Sequence, residues 1–349
     1  MTKAQILERA KPPSRAPALG PEWLSESVED DLFDLSVCIV NWNCRDMLRA
    51  CLESLRQQAH DLRMETIVVD NASADGAAEM VAEEFPEVTL ERNATNVGFA
   101  RANNQAARLS RGRYLFFLNN DTLIPAGALR RLVEYAETHP EAGIVGPRLR
   151  DGNGQTQVSY RQRPTLGTLL HRTSLLRWTG LLRSSYLRYR RQEFDPTVTR
   201  RVDVLMGAAM LLPRKTFLHC GGWDEEFIFG GEDMELSARI GRLHHVVYHP
   251  EVEITHYGRV STRQHIGYCS SNMAIGFHRY LRKTGCPWPG LILYKTIVTL
   301  DTPIQVVGKG LQYLWRKAKR RDVKAAKSLL AMKGSIHFLC RGLVPFWLA

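Results

Sequence analysis

The segment "LFFLNNDTLIP", residues 115–125, decides the fold. Its apolar run, Leu115 to Leu118, stops at Asn119, Asn120 and Asp121, and Pro125 closes it. A short apolar run bounded by polar and turn residues reads as a strand buried on both faces, and such strands belong to parallel sheets. The same layout recurs upstream. "LSVCIVNWN" (35–43) ends in Asn41 and Asn43, "ETIVVDNAS" (65–73) in Asp70, Asn71 and Ser73, and "VTLER" (88–92) runs on to Asn96. Between these runs, "RDMLRACLESLRQQ" sets Met47, Leu48, Cys51, Leu52 and Leu55 on one helical face, with Asn43 expected as its N-cap. "GAAEMVAEEF" and "NVGFARANNQAARLS" read as two more helices, the second entered through Gly98. Alternation of this kind predicts an α/β fold, a mostly parallel sheet covered by helices on both faces. The polar strand ends then gather on the edge where open α/β sheets bind ligands.

Downstream the pattern loosens. Residues 151–200 are basic and irregular and are expected to form a compact helical insertion. "VDVLMGAAMLLPRKTF" (202–217) restores a strand and the start of a helix, a further helix begins near Glu232, and "HVVYHP" and "EVEITHYG" read as two short strands. The expected organisation is a flexible tail over 1–34, an α/β domain over 35–285 and a basic amphipathic helical region over 286–349. The charged, proline-bearing start lacks the apolar core of a signal peptide. Near the other end, "PGLILYKTIVTLDTPIQVVGKGLQYLWRKAKRR" (289–321) is apolar but broken by Lys295, Asp301, Pro303 and Lys309. That suits a membrane-surface segment, or helices packed on the domain, better than a spanning helix.

The chain has 349 residues, 44% hydrophobic and 24% charged, enough for a large core, and its seven cysteines lack CxxC spacing. They are expected to be reduced thiols in a cytoplasmic protein and not zinc ligands. The formal charge of +11 is uneven: residues 160–201 carry +8 and residues 290–349 carry +9 on a mildly acidic remainder. Such patches attract phosphorylated ligands, anionic lipid or nucleic acid.

Three acidic points stand out: Asp70, Asp121 and the pair Glu232–Asp233. A hard cation that bridges phosphates needs only one or two protein oxygens, so Asp121 suits a metal ligand. Glu232 and Asp233 follow two glycines at a helix start, where acids are favoured for electrostatic reasons alone. His256 in "ITHYG" fits a structural role as readily as a ligand.

The ordered set says more. "SVCIVNWN", "IVVDNASAD", "NVGFARANN", "FLNNDT", "GGWDEEFIFGGEDMEL" and "THYGRVS" resemble, in this order, the family-2 glycosyltransferases of GT-A fold, in particular their rhamnosyltransferase-like branch. The resemblance covers roughly residues 35–285. It implies that Asp70 contacts the base and ribose of a sugar nucleotide, with Asn43, Ser73, Asn96 and Gly98 around it. "NND" stands where the family carries a DxD motif: Asn119 replaces the first acid, Asn120 follows it, and Asp121 is the main ligand of Mg2+ or Mn2+, with His256 as a second. Asp233 falls at the general-base position beside Glu232, while Gly207, Trp223 and Asp224 fall in acceptor-side loops. The implied activity is inverting transfer from a nucleotide-diphospho-sugar, such as dTDP-rhamnose, to a lipid-linked or polysaccharide acceptor. The expected location is the cytoplasm, peripherally on the anionic inner face of the membrane, with no nucleic-acid partner. Two other readings stay open. A nucleotidyltransferase would need a Gly- and basic-rich phosphate loop, which "NWNCRDM" lacks. A non-catalytic nucleic-acid or membrane binder would use the basic patches, where Tyr160, Trp178, Tyr186 and Tyr189 are interleaved.

Overall fold

The computed structural model describes residues 32–58, 62–190, 195–258 and 265–349. Nearly all of the expected tail 1–34 lies outside the described residues, as do residues 259–261 of the last motif.

The chain begins as the alternation demands: β1 (Phe33–Asn41), α1 (Arg45–Arg56), β2 (Met64–Asp70), α2 (Ala77–Glu84), β3 (Thr89–Arg92), α3 (Phe99–Leu109) and β4 (Gly112–Asn119). The short β5 (Thr122–Leu123) and α4 (Ala128–Thr138) lead to β6 (Ala142–Arg150). The insertion holds β7 (Thr156–Gln157), β8 (Tyr160–Arg161), α5 (Leu166–His171), α6 (Ser174–Thr179) and α7 (Arg183–Arg190). β9 (Arg200–Arg201), β10 (Val204–Leu205), β11 (Ala209–Pro213), α8 (Arg214–His219), α9 (Glu232–Ile240) and β12 (His245–His256) complete the sheet region. The C-terminal helices are α10 (Ile266–Lys283), α11 (Trp288–Ala318), α12 (Asp322–His337) and α13 (Leu343–Leu348), with one π turn (Phe338–Gly342) before the last.

The main sheet runs β3-β2-β1-β4-β11-β6-β12-β5. β1 is parallel to β2 and β4, and β12 to β6, while β11 lies antiparallel between β4 and β6. Register fixes the ligand edge: Asn41 lies opposite Asp70, and Val40 opposite Asn119. In β4, Leu115, Phe116 and Phe117 are fully buried; Phe116 joins the core under α1 and α4, and Phe117 the core under α3, so both faces are covered.

Three local expectations change. Asn43 is not the N-cap of α1. It sits at φ 52°, Cys44 is the capping residue, and the Arg45 N–H is satisfied by Asp75 Oδ2 instead. The two short strands near the end are one, β12, whose pairing with β6 shifts between His249 and Glu253. That irregularity accommodates Pro250, which has no N–H to give a ladder. The insertion and the C-terminal helices are joined: Leu169 and Leu170 of α5 pack with Ile275, Leu281, Tyr294, Phe338 and Phe346 in a single core cluster. Asp301, an apparent flaw in an apolar helix, is fully buried and accepts the N–H groups of Ser174 and Leu175, which pins α6 to α11.

Candidate active site

A cavity of about 410 Å³ opens at the ligand edge, lined by Asn96, Gly98, Asn119, Asn120, Asp121 and His256 together with Gly207, Glu232 and Asp233. A larger, more open concavity at the opposite end of the sheet is lined by Asp34, Arg63, Arg113 and Glu137, whose charges pair with one another.

Two elements bring Asp121 and His256 together. β5 pairs with the end of β12, Thr122 opposite His256, and the Tyr257 N–H donates to the Asp121 carbonyl. His256 Nε2 then lies 3.4 Å from Asp121 Oδ1 and 3.3 Å from Asn119 Nδ2. Gln157, absent from the sequence-based set, settles the ring. Its Nε2 donates to the His256 carbonyl at 2.6 Å, so the amide oxygen is the atom that faces Nδ1, at 2.9 Å. Nδ1 therefore carries a proton, and Nε2 is left as the ring atom that can turn a lone pair toward the Asp121 carboxylate. A lone pair and an anionic oxygen facing each other make a donor set for a cation, oriented by the amide behind it. Among the described residues no third His, Cys, Asp or Glu completes that set. The residues thus fit a divalent ion whose remaining ligands come from a bound phosphate.

Asp70, Ser73 and Asn43 stand behind this cavity and do not line it. Asp70 is nearly buried; Oδ1 accepts from Asn41 Nδ2 and Oδ2 from the Ser73 N–H. Asn41 also accepts from Asn120 Nδ2 at 2.6 Å. One chain of hydrogen bonds thus ties three strand ends into a rigid edge. Asn71 does the same for the next loop: its Oδ1 takes the Val97 N–H and its Nδ2 reaches Asn96 Oδ1. Asn41 and Asn71 were visible as strand-end polars, but only the register shows that they organise their neighbours.

Glu232 and Asp233 start α9 behind Gly230 (φ 84°) and Gly231 (φ 99°), a backbone that side-chain-bearing residues avoid. Asp233 Oδ1 accepts the Met234 N–H at 2.8 Å and Oδ2 the Gly207 N–H at 3.3 Å. Both carboxyls are raised above the ordinary range, each chiefly by burial, and Glu232 additionally by the Asp233 charge. Glu232 Oε2 has no hydrogen-bond partner among the described residues. The two carboxylates together favour holding one proton between them. With the Glu232 carboxyl raised to about 8 in the folded chain, folding between about pH 4.5 and 8 takes up a proton that the unfolded chain has lost, so stability falls as pH rises through that window. Glu232→Gln should therefore raise the melting temperature more at about pH 8 than at about pH 5; an increment independent of pH would contradict the shift.

Trp223 and Asp224 are placed elsewhere. Trp223 is buried against Phe99 and Phe117, with its backbone held by Asn104, and Asp224 pairs with Lys283 of α10. Both support the loop that leads to α9 and neither lines the cavity. Sequence reasoning also missed Arg161 and Arg172, which reach the cavity from the basic insertion.

Residues 36–206 match the family model described as glycosyl transferase family 2. An N-acetylglucosaminyl-diphospho-decaprenol L-rhamnosyltransferase of Mycobacterium tuberculosis is 28% identical over 249 residues, which is 65% of this chain and 77% of that protein. An O-antigen biosynthesis protein of Myxococcus xanthus is 26% identical over 62% of this chain and 17% of its own length. Among solved structures, GalNAc-T7 with UDP, GalNAc and Mn2+ has the same fold at a TM-score of 0.50, with 16% identity over 70% of this chain and 47% of that one. The matched segment runs from β1 through the strand-end asparagines and Asp121 to the residue before Gly207; it is a glycosyl transferase family 2 domain, and the chain is an enzyme of glycosyl transfer on a GT-A fold.

Proposed function

We propose that this enzyme is an inverting, metal-dependent transferase that moves a sugar from a nucleotide-diphospho-sugar to a hydroxyl of a lipid-linked or polysaccharide acceptor. The observation that carries the reading is the convergence in one cavity of the Asp121–His256 donor pair and the Asp233 carboxylate. Asp121 and His256 would hold Mg2+ or Mn2+, which stabilises negative charge on a departing diphosphate. Asn96 and Gly98 border the nucleotide, and the Asp70 network holds that edge in register. Asp233 accepts the proton of the acceptor hydroxyl. The hydroxyl oxygen bonds to the anomeric carbon as the carbon–diphosphate bond breaks, and its electron pair leaves with the nucleoside diphosphate. A deoxyhexose donor such as dTDP-rhamnose is favoured by the rhamnosyltransferase relative.

The test is donor affinity with and without Mn2+. Asp121→Ala should lose most of the Mn2+-dependent gain in nucleotide-sugar affinity, a drop of about tenfold or more if the carboxylate is a direct ligand. An unchanged Mn2+ response in that variant would remove the metal role.

A peripheral membrane location is part of the same proposal. Among the described residues no helix is long and apolar enough to cross a membrane. Instead α11 exposes Leu293, Leu300, Ile304, Val307, Leu311 and Leu314, spaced to form one ridge that ends in a cluster of Arg and Lys. With +9 over residues 290–349, this surface repels a second copy and suits anionic lipid. Deleting the region would uncover the core around Tyr294, so point changes are the cleaner probe. Val307→Glu with Leu311→Glu should abolish flotation with anionic vesicles without lowering the melting temperature. Flotation equal to the unsubstituted protein would exclude the ridge as the contact.

A further inference from the structure

Residues 160–190 carry a second feature that the transfer reaction as described does not use. Arg161 of β8 and Arg172 at the end of α5 line the cavity, yet neither has a carboxylate within salt-bridge distance among the described residues. Arg161 is half-buried. Its guanidinium stacks over Tyr189, and its charge is felt by Asp233. Arg172 is exposed at the mouth, over the Phe277 ring at 4.6 Å. Both contacts are with groups on the Asp233 side; none joins either arginine to Asn71, Asn96 or Asp121. Two guanidiniums without a carboxylate partner in the lining of one cavity can take an anion, and their forked donors suit a phosphate.

From Arg172 the chain continues into α6 and the turn after it, where Leu175, Trp178 and, past the helix end, Leu181 are exposed, Trp178 at 96%. Asp301 fixes this helix against α11. Lys309 of α11 is held below its ordinary value, first by burial and then by Arg177 of α6 and by Arg316, so the basic end of the ridge and α6 form one surface. Anion site and apolar strip therefore adjoin along the chain, and α6 is hydrogen-bonded to the helix that carries the basic ridge.

We infer that the insertion is an acceptor site for an amphiphile: Arg161 and Arg172 take a phosphate or diphosphate that joins the acceptor sugar to an apolar chain, and Leu175, Trp178 and Leu181 take the start of that chain. The inference rests on the transferase reading above and selects the lipid-linked acceptor over a neutral polysaccharide. Discrimination against an acceptor without phosphate follows, because the site's cations would then stay unpaired.

The test compares steady-state constants of the full-length enzyme for an alkyl-diphospho-N-acetylglucosamine and for the neutral alkyl glycoside of the same sugar. Arg161→Gln and Arg172→Gln should each raise the acceptor KM of the diphospho compound by about tenfold or more, and shrink its advantage over the glycoside, while the donor KM stays within about twofold. Trp178→Ala should reduce the preference for a long alkyl chain over a short one. If the arginine variants instead raise the donor KM, the guanidiniums serve the nucleotide diphosphate and the inference is overturned. An equal loss on both acceptors overturns it as well. Absence of transfer to either acceptor by the unsubstituted enzyme, with nucleotide-sugar binding intact, would instead count against the proposed reaction.

Discussion

Asp233→Asn is expected to lower the turnover number by about 10³-fold or more and to leave nucleotide-sugar affinity within about twofold. The expectation follows from where the two oxygens are held. Met234 and Gly207 donate backbone N–H groups to them, so the carboxylate is fixed in direction before any substrate arrives. Burial raises its proton affinity, which strengthens it as a base as long as it remains ionised. The neighbouring Glu232 is raised by both burial and the Asp233 charge, so it is the partner that keeps the proton when Asp233 is charged. Asparagine retains the shape and can still accept the shorter bond from Met234, but it turns an amide N–H toward Gly207 and cannot take a proton. The small structural conflict is offset by removal of a buried charge, so the melting temperature should change little. Nucleotide-sugar affinity, read by titration with Mn2+ present, separates loss of a base from loss of a binding site. A variant that keeps more than about a tenth of the wild-type rate would assign the proton transfer to another group.

The sheet edge was legible because parallel strands buried on both faces write their ends into the sequence: Leu118 to Asn119 and Val69 to Asp70 are abrupt changes of polarity. The contribution of Gln157 was not legible. It lies in a two-residue strand paired with β6 and reaches His256 only because β6 is also paired with β12. The places of Trp223 and Asp224 were not legible for a related reason. A loop that leads to the site need not face it, and a tryptophan there is as useful for packing as for binding. The basic insertion was recognised by charge alone. Which of its arginines enter the cavity depends on the β8–β10 pairing, which sets Arg161 opposite Val204 just ahead of Gly207. Asp301 is the clearest such case: a charge that seemed only to spoil an apolar helix is a buried acceptor for two backbone donors.

Gly276→Ala should cost about 10²-fold in the transfer rate and about 1–3 kcal/mol in stability, although alanine is the better helix former. Gly276 lies inside α10, and a Cβ there would stand 1.7 Å from the Gly230 carbonyl oxygen. The obstacle is backbone, so it cannot rotate away. The loop it presses on is held from the other side too, where the Phe99 N–H donates to the Ile228 carbonyl and a Cβ on Gly98 would meet that oxygen at 3.0 Å. Gly230 and Gly231 set the position of Asp233, and movement of about 1 Å at a reacting group is enough for a loss of that order. Propensity alone argues the opposite sign, a gain of about 1 kcal/mol for glycine to alanine in a helix. Gly308 of α11 provides the contrast, because nothing lies within 4 Å of its added Cβ. Gly308→Ala should therefore stabilise the protein by up to about 1 kcal/mol and leave the rate unchanged. If both substitutions stabilise and neither slows transfer, α10 does not hold the loop, and the C-terminal helices have no part in placing Asp233.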